Sequence, residues 1–294
     1  MDQRASKVSE DLGPMDRRTG IEQRVEQHYA QSGLEERILS ALAAAGKDVE
    51  RLTASDLAPV DEFHTGGRAA TIEIAAQAGF GPGMHVLDIG CGIGGASRFF
   101  AQERGCCVTG IDITADYIRV AQALAKRVGL ERRVAYQRAS ALSLPFKLGT
   151  FDGAYMMHVG MNIKDKPTLF AEARRVLKNG AVLAIYDVVL TGRGDVSYPL
   201  PCALSPDTCF MLDVAGYQRE LDAAGFDILT VHDRLDVARA FFRQEQARAA
   251  GGAAPSPLGI HILMKEDAPR IFSNVVSLFE RGILSPTEFI ARTR

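Results

Sequence analysis

The feature that most constrains this chain is the run Val86-Leu87-Asp88-Ile89-Gly90-Cys91-Gly92-Ile93-Gly94-Gly95. A short apolar run ending in glycines reads as a buried strand, a tight turn and a helix start, because glycine lets the backbone turn and approach a ligand closely. The segments that follow repeat this rhythm. Strands are expected at His85–Ile89, Cys107–Ile111, Arg133–Arg138, Phe151–His158, Ala181–Leu190 and Phe226–His232, with helices at Ala96–Arg104, Ala115–Arg127, Lys166–Leu177 and Val214–Ala224 between them. Such alternation implies a parallel sheet covered on both faces.

The flanks differ from this rhythm. Residues 1–19 are polar and expected to be a flexible tail, and 20–66 a helical cap. The cap should hold one helix from Ile21 to Gln31 and a second that opens in a capping box at Ser32. A loop carrying Pro59 should then lead into a third helix ending near Ala78. The core is expected over 67–233, a helical lid over 234–285 around a Gly/Ala/Pro-rich loop at 251–257, and a last strand within 286–294, from Thr287 to Arg292. A stretch at about 191–213 also departs from the rhythm. It leaves from the carboxyl end of a strand, where ligands of such sheets bind, so both interruptions are expected to roof a pocket. Their apolar groups (Phe210, Met211, Leu212, Phe241, Phe242, Ile260, Leu263, Met264) should be mostly core, with a minority facing a ligand.

Composition excludes several classes. With 47% hydrophobic and 24% charged residues, a sizeable core is possible and global disorder is not. The formal net charge of -2 gives no basic field for nucleic acid or an anionic membrane. The 5 cysteines include no C-x-x-C pair, so neither a disulfide framework nor a metal site is expected. The N-terminus has no apolar signal-like region and no run reaches spanning length, which points to a cytoplasmic location.

A lone G-x-G-x-x-G is weak evidence. Here it follows a strand, opens a helix and has Asp112 at the end of the next strand, where a carboxylate can accept both hydroxyls of a ribose. A dinucleotide and S-adenosylmethionine (SAM) compete for such a site. Asp88 lies two residues before Gly90, where it would repel a pyrophosphate but suit the ammonium of a methionyl group.

These residues resemble the class I SAM-dependent methyltransferase core over 84–190. The segments Leu57–Arg68 and His158-Val159-Gly160-Met161-Asn162-Ile163 are further similar to the glycine, sarcosine and dimethylglycine N-methyltransferase branch, with phosphoethanolamine methyltransferases as more distant kin. The resemblance implies a Rossmann-like sheet of seven strands, mostly parallel with an antiparallel last strand. It also implies SAM as cofactor and a small-molecule methyl acceptor, with a homo-oligomer possible. Asp88, Gly90, Cys91 and Gly92 would line the methionyl part. Asp112 would hold the ribose, with Ile113 beside the adenine and Ser140, Ala141 and Leu142 at its edge. Met157 and His158 would lie near the sulfonium, and Thr65 and Gly66 would close over the cofactor carboxylate. Relatives usually carry Asp where this chain has Ser140.

Methyl transfer needs chiefly an in-line geometry, and a proton acceptor only when the nucleophile arrives protonated. Tyr29, His158 and Asn162 are the candidate catalytic residues: a covering Tyr, a base and an orienting amide. His64 is a further residue within reach of the pocket. Each has a structural alternative, in helix packing, a strand-end hydrogen bond, a helix cap and an exposed loop. Pro199-Leu200-Pro201 is followed by Cys202 where amine-methylating relatives often have Trp, and the chain has 0 Trp. N-methylation of an amine is expected slightly ahead of C- or O-methylation of an apolar aromatic, polyketide or isoprenoid acceptor. The competing expectations are a dinucleotide-dependent oxidoreductase and a SAM-binding protein without catalysis. A nucleic-acid methyltransferase would need a basic patch and an Asn/Asp-Pro-Pro-aromatic motif, and this chain has neither.

Overall fold

The computed structural model describes residues 19–62, 64–250, 262 and 268–294. The expected tail at 1–18, Phe63, the loop at 251–257 and Ile260, Leu263 and Met264 lie outside the described residues.

The strands β1 (His85–Ile89), β2 (Cys107–Asp112), β3 (Val134–Arg138), β4 (Phe151–Met157), β5 (Leu177–Leu190), β6 (Phe226–Asp233) and β7 (Leu284–Thr293) form one sheet in the order β3-β2-β1-β4-β5-β7-β6. β1 pairs parallel with β2 and β4, whereas β7 runs antiparallel to β5 and β6. This is the expected seven-stranded, Rossmann-like class I methyltransferase sheet. The order reverses beside β1, so the carboxyl ends of β1, β2 and β4 open a crevice there.

Helices cover both faces. α4 (Gly67–Ala78), α5 (Gly95–Glu103) and α6 (Ala115–Arg127) lie on one side, where Ile74, Phe100 and Ala121 are buried with Tyr155 and Tyr186 of the sheet. α7 (Lys166–Val176) and α8 (Val214–Ala223) cover the other, burying Leu169, Phe170, Tyr217 and Leu221 against Ile89 and Phe289. β1 is buried through most of its length and therefore reads as a continuous apolar run rather than an alternating one.

The N-terminal region departs from expectation in two places. The capping box is not at Ser32: α2 (Leu34–Ala44) starts after Gly33, whose φ of 68° turns the chain sharply and which offers no side-chain cap. The boxes lie instead at Thr19–Glu22, opening α1 (Gly20–Tyr29), and at Thr53–Asp56. The second box starts a helix, α3 (Ala54–Asp61), where a Pro-bearing loop was expected. Thr53 satisfies the first-turn donors, and burial of Leu57 and Val60 outweighs the loss of one N–H at Pro59.

β7 is longer than the expected Thr287–Arg292 and includes Pro286. Pro286 lies one residue beyond the last β6 pair, Asp233↔Thr287, so no donor is needed on that side. No described residue of the interrupting stretches lines the crevice, although Ile262 packs against the cluster that holds Ile93 and Tyr117. α9 (Leu235–Ala250) and α10 (Ala268–Glu280) place Phe242, Leu278 and Phe279 in a separate apolar cluster with Leu200, Cys202 and Ala203. Their apolar faces are therefore already covered by one another. No helix among the described residues is long and apolar enough to cross a membrane.

Candidate active site

A cavity of about 540 Å³ opens at the carboxyl ends of β1, β2 and β4. Its floor is the glycine turn. Gly90 and Cys91 N–H both donate to the Ile111 carbonyl, at 2.8 Å each, which ties the turn to β2. Gly90 has a φ of 75°, and a Cβ there would lie 2.3 Å from Val159 Cγ2. Gly90→Ala is therefore expected to cost about 2–4 kcal/mol, combining left-handed backbone strain with overpacking. Urea unfolding measures it, and a loss under 1 kcal/mol would contradict this packing.

Asp88 and Asp112 face the cavity from adjacent strands. Asp88 Oδ2 accepts from Ser97 Oγ at 2.6 Å and Tyr155 Oη at 2.9 Å. Burial pushes its carboxyl up to about 7, and those hydroxyls oppose the shift only in part. Asp112 accepts from Gly92 N–H at 3.0 Å through Oδ2 and from Thr114 N–H at 2.8 Å through Oδ1. Burial also raises the Asp112 carboxyl, against these two backbone donors. Each of its oxygens retains lone-pair capacity toward the cavity.

The rest of the expected set divides cleanly. Gly90, Cys91, Gly92, Ile113, Ser140, Ala141, Leu142, Met157, His158, Tyr29 and Asn162 all line the same cavity. Thr65 and Gly66 do not. The Thr65 carbonyl accepts from Tyr186 Oη at 3.0 Å, and Gly66 is the left-handed cap of α4, so both serve the helix start. His64, beside them, does line the cavity.

The cover over the cavity is α1, which contributes Ile21, Glu22, Val25 and Tyr29. Tyr29 Oη donates to Asn162 Oδ1 at 3.0 Å, and Asn162 Nδ2 donates to the Cys202 and Thr208 carbonyls at 2.7 and 2.9 Å. Asn162 thus links α1 to the 191–213 stretch. Further along α1, Glu26 pairs with Arg138, and Glu22 accepts from Ser140 Oγ while its other oxygen closes the cap at Thr19. His158, at the end of β4, is the one non-glycine residue with positive φ (55°) among those described, and its ring Nε2 is buried without a partner.

Three functional-looking groups had not been expected. Glu22 carried a legible signal, the Thr19-x-x-Glu22 spacing of a capping box. Glu62 and the Asp61–Arg98 pair carried none, because their partners lie on other elements. The Asp61 side chain pairs with Arg98, which is 0% exposed and also donates to the Ile93 carbonyl at 2.8 Å.

Residues 87–185 match the family model described as "Methyltransferase domain". The chain is 37% identical over 135 residues to O-methyltransferase resE of Aspergillus sclerotiorum, covering 46% of this chain and 50% of that protein. The chain therefore spans about half the length of that curated relative. Geranyl diphosphate C-methyltransferase from Streptomyces coelicolor A3(2) superposes with a TM-score of 0.70 at 16% identity, over 94% of this chain and 99% of that one. The 4+2 cyclase SpnF does so with a TM-score of 0.64 at 23% identity, over 92% and 96%. At these identities the solved structures speak to the fold alone. Residues 87–185 thus match a methyltransferase domain, on a sheet with the class I methyltransferase strand order. The oxidoreductase alternative finds no support.

Proposed function

We propose that this chain is a SAM-dependent methyltransferase acting on a small, mostly apolar acceptor by in-line displacement. The observation that carries the reading is the pair Asp88 and Asp112, at the ends of adjacent parallel strands, facing one cavity across a glycine turn. The residues fit the cofactor. Asp112 is held by two backbone donors and can accept from both ribose hydroxyls. The partners of Asp88 are two hydroxyls, so a ligand ammonium would supply the cation that its buried carboxylate lacks. Glu22, joined to Ser140, brings a carboxylate to the adenine edge where relatives place Asp. When bound, SAM supplies a methyl group on a sulfonium, a good leaving group. The chain's own task is then to fix the acceptor in line and exclude water, and α1 provides that cover.

Charge narrows the acceptor. Among the described residues the lining carries Glu22, Asp61, Glu62, Asp88, Asp112 and Asp165 but one Lys or Arg, Lys164. A phosphate or diphosphate on the acceptor would meet like charge there, so phosphorylated amines and prenyl diphosphates fit poorly. Apart from imidazoles, the aromatic lining among the described residues is Tyr29 and Tyr117. The lining favours a neutral acceptor methylated on oxygen or carbon over the amine.

The test is incubation of the protein with methyl-labelled SAM and three panels: neutral phenols and enols, amines, and phosphorylated amines. Label is expected in the first panel, with S-adenosylhomocysteine formed in equal amount. Retained SAM binding with label in no panel would make this a SAM-binding protein without transfer.

A further inference from the structure

Glu62, His64 and Thr71 form a closed polar cluster under the cavity wall. Thr71 Oγ1 donates to Glu62 Oε2 at 2.6 Å, so its proton is committed there. His64 Nε2 lies 3.0 Å from Thr71 Oγ1 and 3.1 Å from Glu62 Oε2, and both are acceptors toward it. With Glu62 ionised, Nε2 carries the ring proton and Nδ1 is left as a bare lone pair. The His64 and Glu62 side chains are only 6% and 5% exposed, and His64 Nδ1 has no hydrogen-bond partner among the described residues. Most buried side-chain polar atoms have a hydrogen-bond partner. Here the unpaired nitrogen belongs to a residue that lines the cavity. His158, whose Nε2 is also unpaired, lies beside it with ring centroids 6.0 Å apart.

A buried lone pair backed by a carboxylate asks for a donor. It would repel a carboxylate or phosphate of a ligand. We propose that His64, positioned by Glu62, accepts the proton of a neutral hydroxyl acceptor, a phenol or enol, as its oxygen is methylated. The inference rests on the methyltransferase reading and names its substrate class. In the step, the acceptor's O–H bond breaks and its oxygen takes the methyl as the carbon–sulfur bond of SAM breaks. The acceptor proton goes to His64 Nδ1, and the Nε2 proton passes to Glu62. His64 touches the acceptor. Glu62 acts through it and is a positioning residue.

The protonation states agree. Burial lowers His64 to about 4, so the ring is neutral and able to accept. Burial raises Glu62 to about 7, which makes it a competent terminal acceptor near neutral pH. The charged and titratable groups around Glu62 are Asp61 of α3, Arg98 of α5, Arg68 of α4 and His64 itself, with His158 and Tyr186 of β5 against the far side of the His64 ring. The relay works with Glu62 ionised, so the rate rises with pH through about 7 and is lost below it.

Two measurements test this on the full chain. The first is nitrogen NMR of the protein labelled at its 6 histidines, which needs no acceptor. His64, assigned by its loss in His64→Asn, is expected neutral with the proton on Nε2 and Nδ1 bare above about pH 7.5, where Glu62 is ionised; a protonated Nδ1 there overturns the proposal. The second uses the phenol of the panel that is methylated fastest. Glu62→Gln is expected to lower kcat about 100-fold and abolish the acid limb near 7, with Glu62→Asp restoring part of both. SAM affinity should stay within about threefold in each variant, since Glu62 acts only through His64 Nε2. Label in amines alone, label in no phenol while SAM still binds, or a tenfold loss of SAM affinity with kcat unchanged would each overturn the relay. Failure of the wild-type protein to bind SAM would instead overturn the methyltransferase reading on which it rests.

Discussion

Replacing Asp112 by alanine should weaken SAM binding by at least about 100-fold, since two hydrogen bonds to a charged acceptor are worth about 1.5–3 kcal/mol each. The loss has a second source. Asp112 also accepts from Gly92 and Thr114 N–H, so its removal frees the glycine turn at one end and the start of α6 at the other. Asp112→Asn separates the two effects. It keeps one acceptor oxygen but turns its amide on one of the two backbone donors, and an intermediate loss of about tenfold is expected. Isothermal titration with SAM reads both. Unchanged affinity in Asp112→Ala would mean that the nucleoside does not lie at the end of β2.

The largest stability effect is expected at Arg98. Arg98→Ala should lower unfolding free energy by about 3–5 kcal/mol, because it leaves a buried carboxylate without its partner. The Asp61 side chain is 5% exposed and pairs with a guanidinium that is 1% exposed, and Arg98 also holds the Ile93 carbonyl at 2.8 Å. The pair fastens the end of α3 to the first turn of α5. Gly95 shows how tight that join is: a Cβ there would lie 2.4 Å from Asp61 Cβ and 2.6 Å from its carbonyl oxygen. The double variant Asp61→Asn/Arg98→Met should lose clearly less than Arg98→Ala alone, since it buries no unpaired charge. Urea denaturation of the three proteins gives the values. A single-variant loss below about 1 kcal/mol would show that the pair is solvated and does not fasten α3.

Some of this was legible in the residues because it is local. The strand–glycine–helix run around Gly90 and the acidic residue closing β2 gave the crevice its place and its ligand class, since their spacing alone brings Asp88 and Asp112 to adjacent strand ends. Pro59 misled because a proline reads as a break, whereas the Thr53–Asp56 box and two buried residues hold α3 together around it. The cover was legible in part: an N-terminal cap with a covering Tyr29 was expected, but the later interruptions were expected to roof the pocket too. The apolar residues of α9 and α10 look like a lid in sequence, but pattern cannot say which apolar faces meet, and these meet each other. The polar, capped α1 covers the cavity instead, held by Tyr29, Glu22 and Glu26 through partners more than 100 positions away. Glu62 and His64 lie within a recognisable segment, Leu57–Arg68. Their pairing through Thr71 depends on a helix turn that no spacing rule reports.

The central claim is that the crevice is built for SAM and not for a dinucleotide. Calorimetric titration of the purified protein with SAM and, separately, with NAD(H) tests it most directly. The account predicts saturable one-to-one SAM binding in the micromolar range and no heat from NAD(H). Binding of NAD(H) without SAM would mean that Asp88 does not receive an ammonium and that the site serves another chemistry.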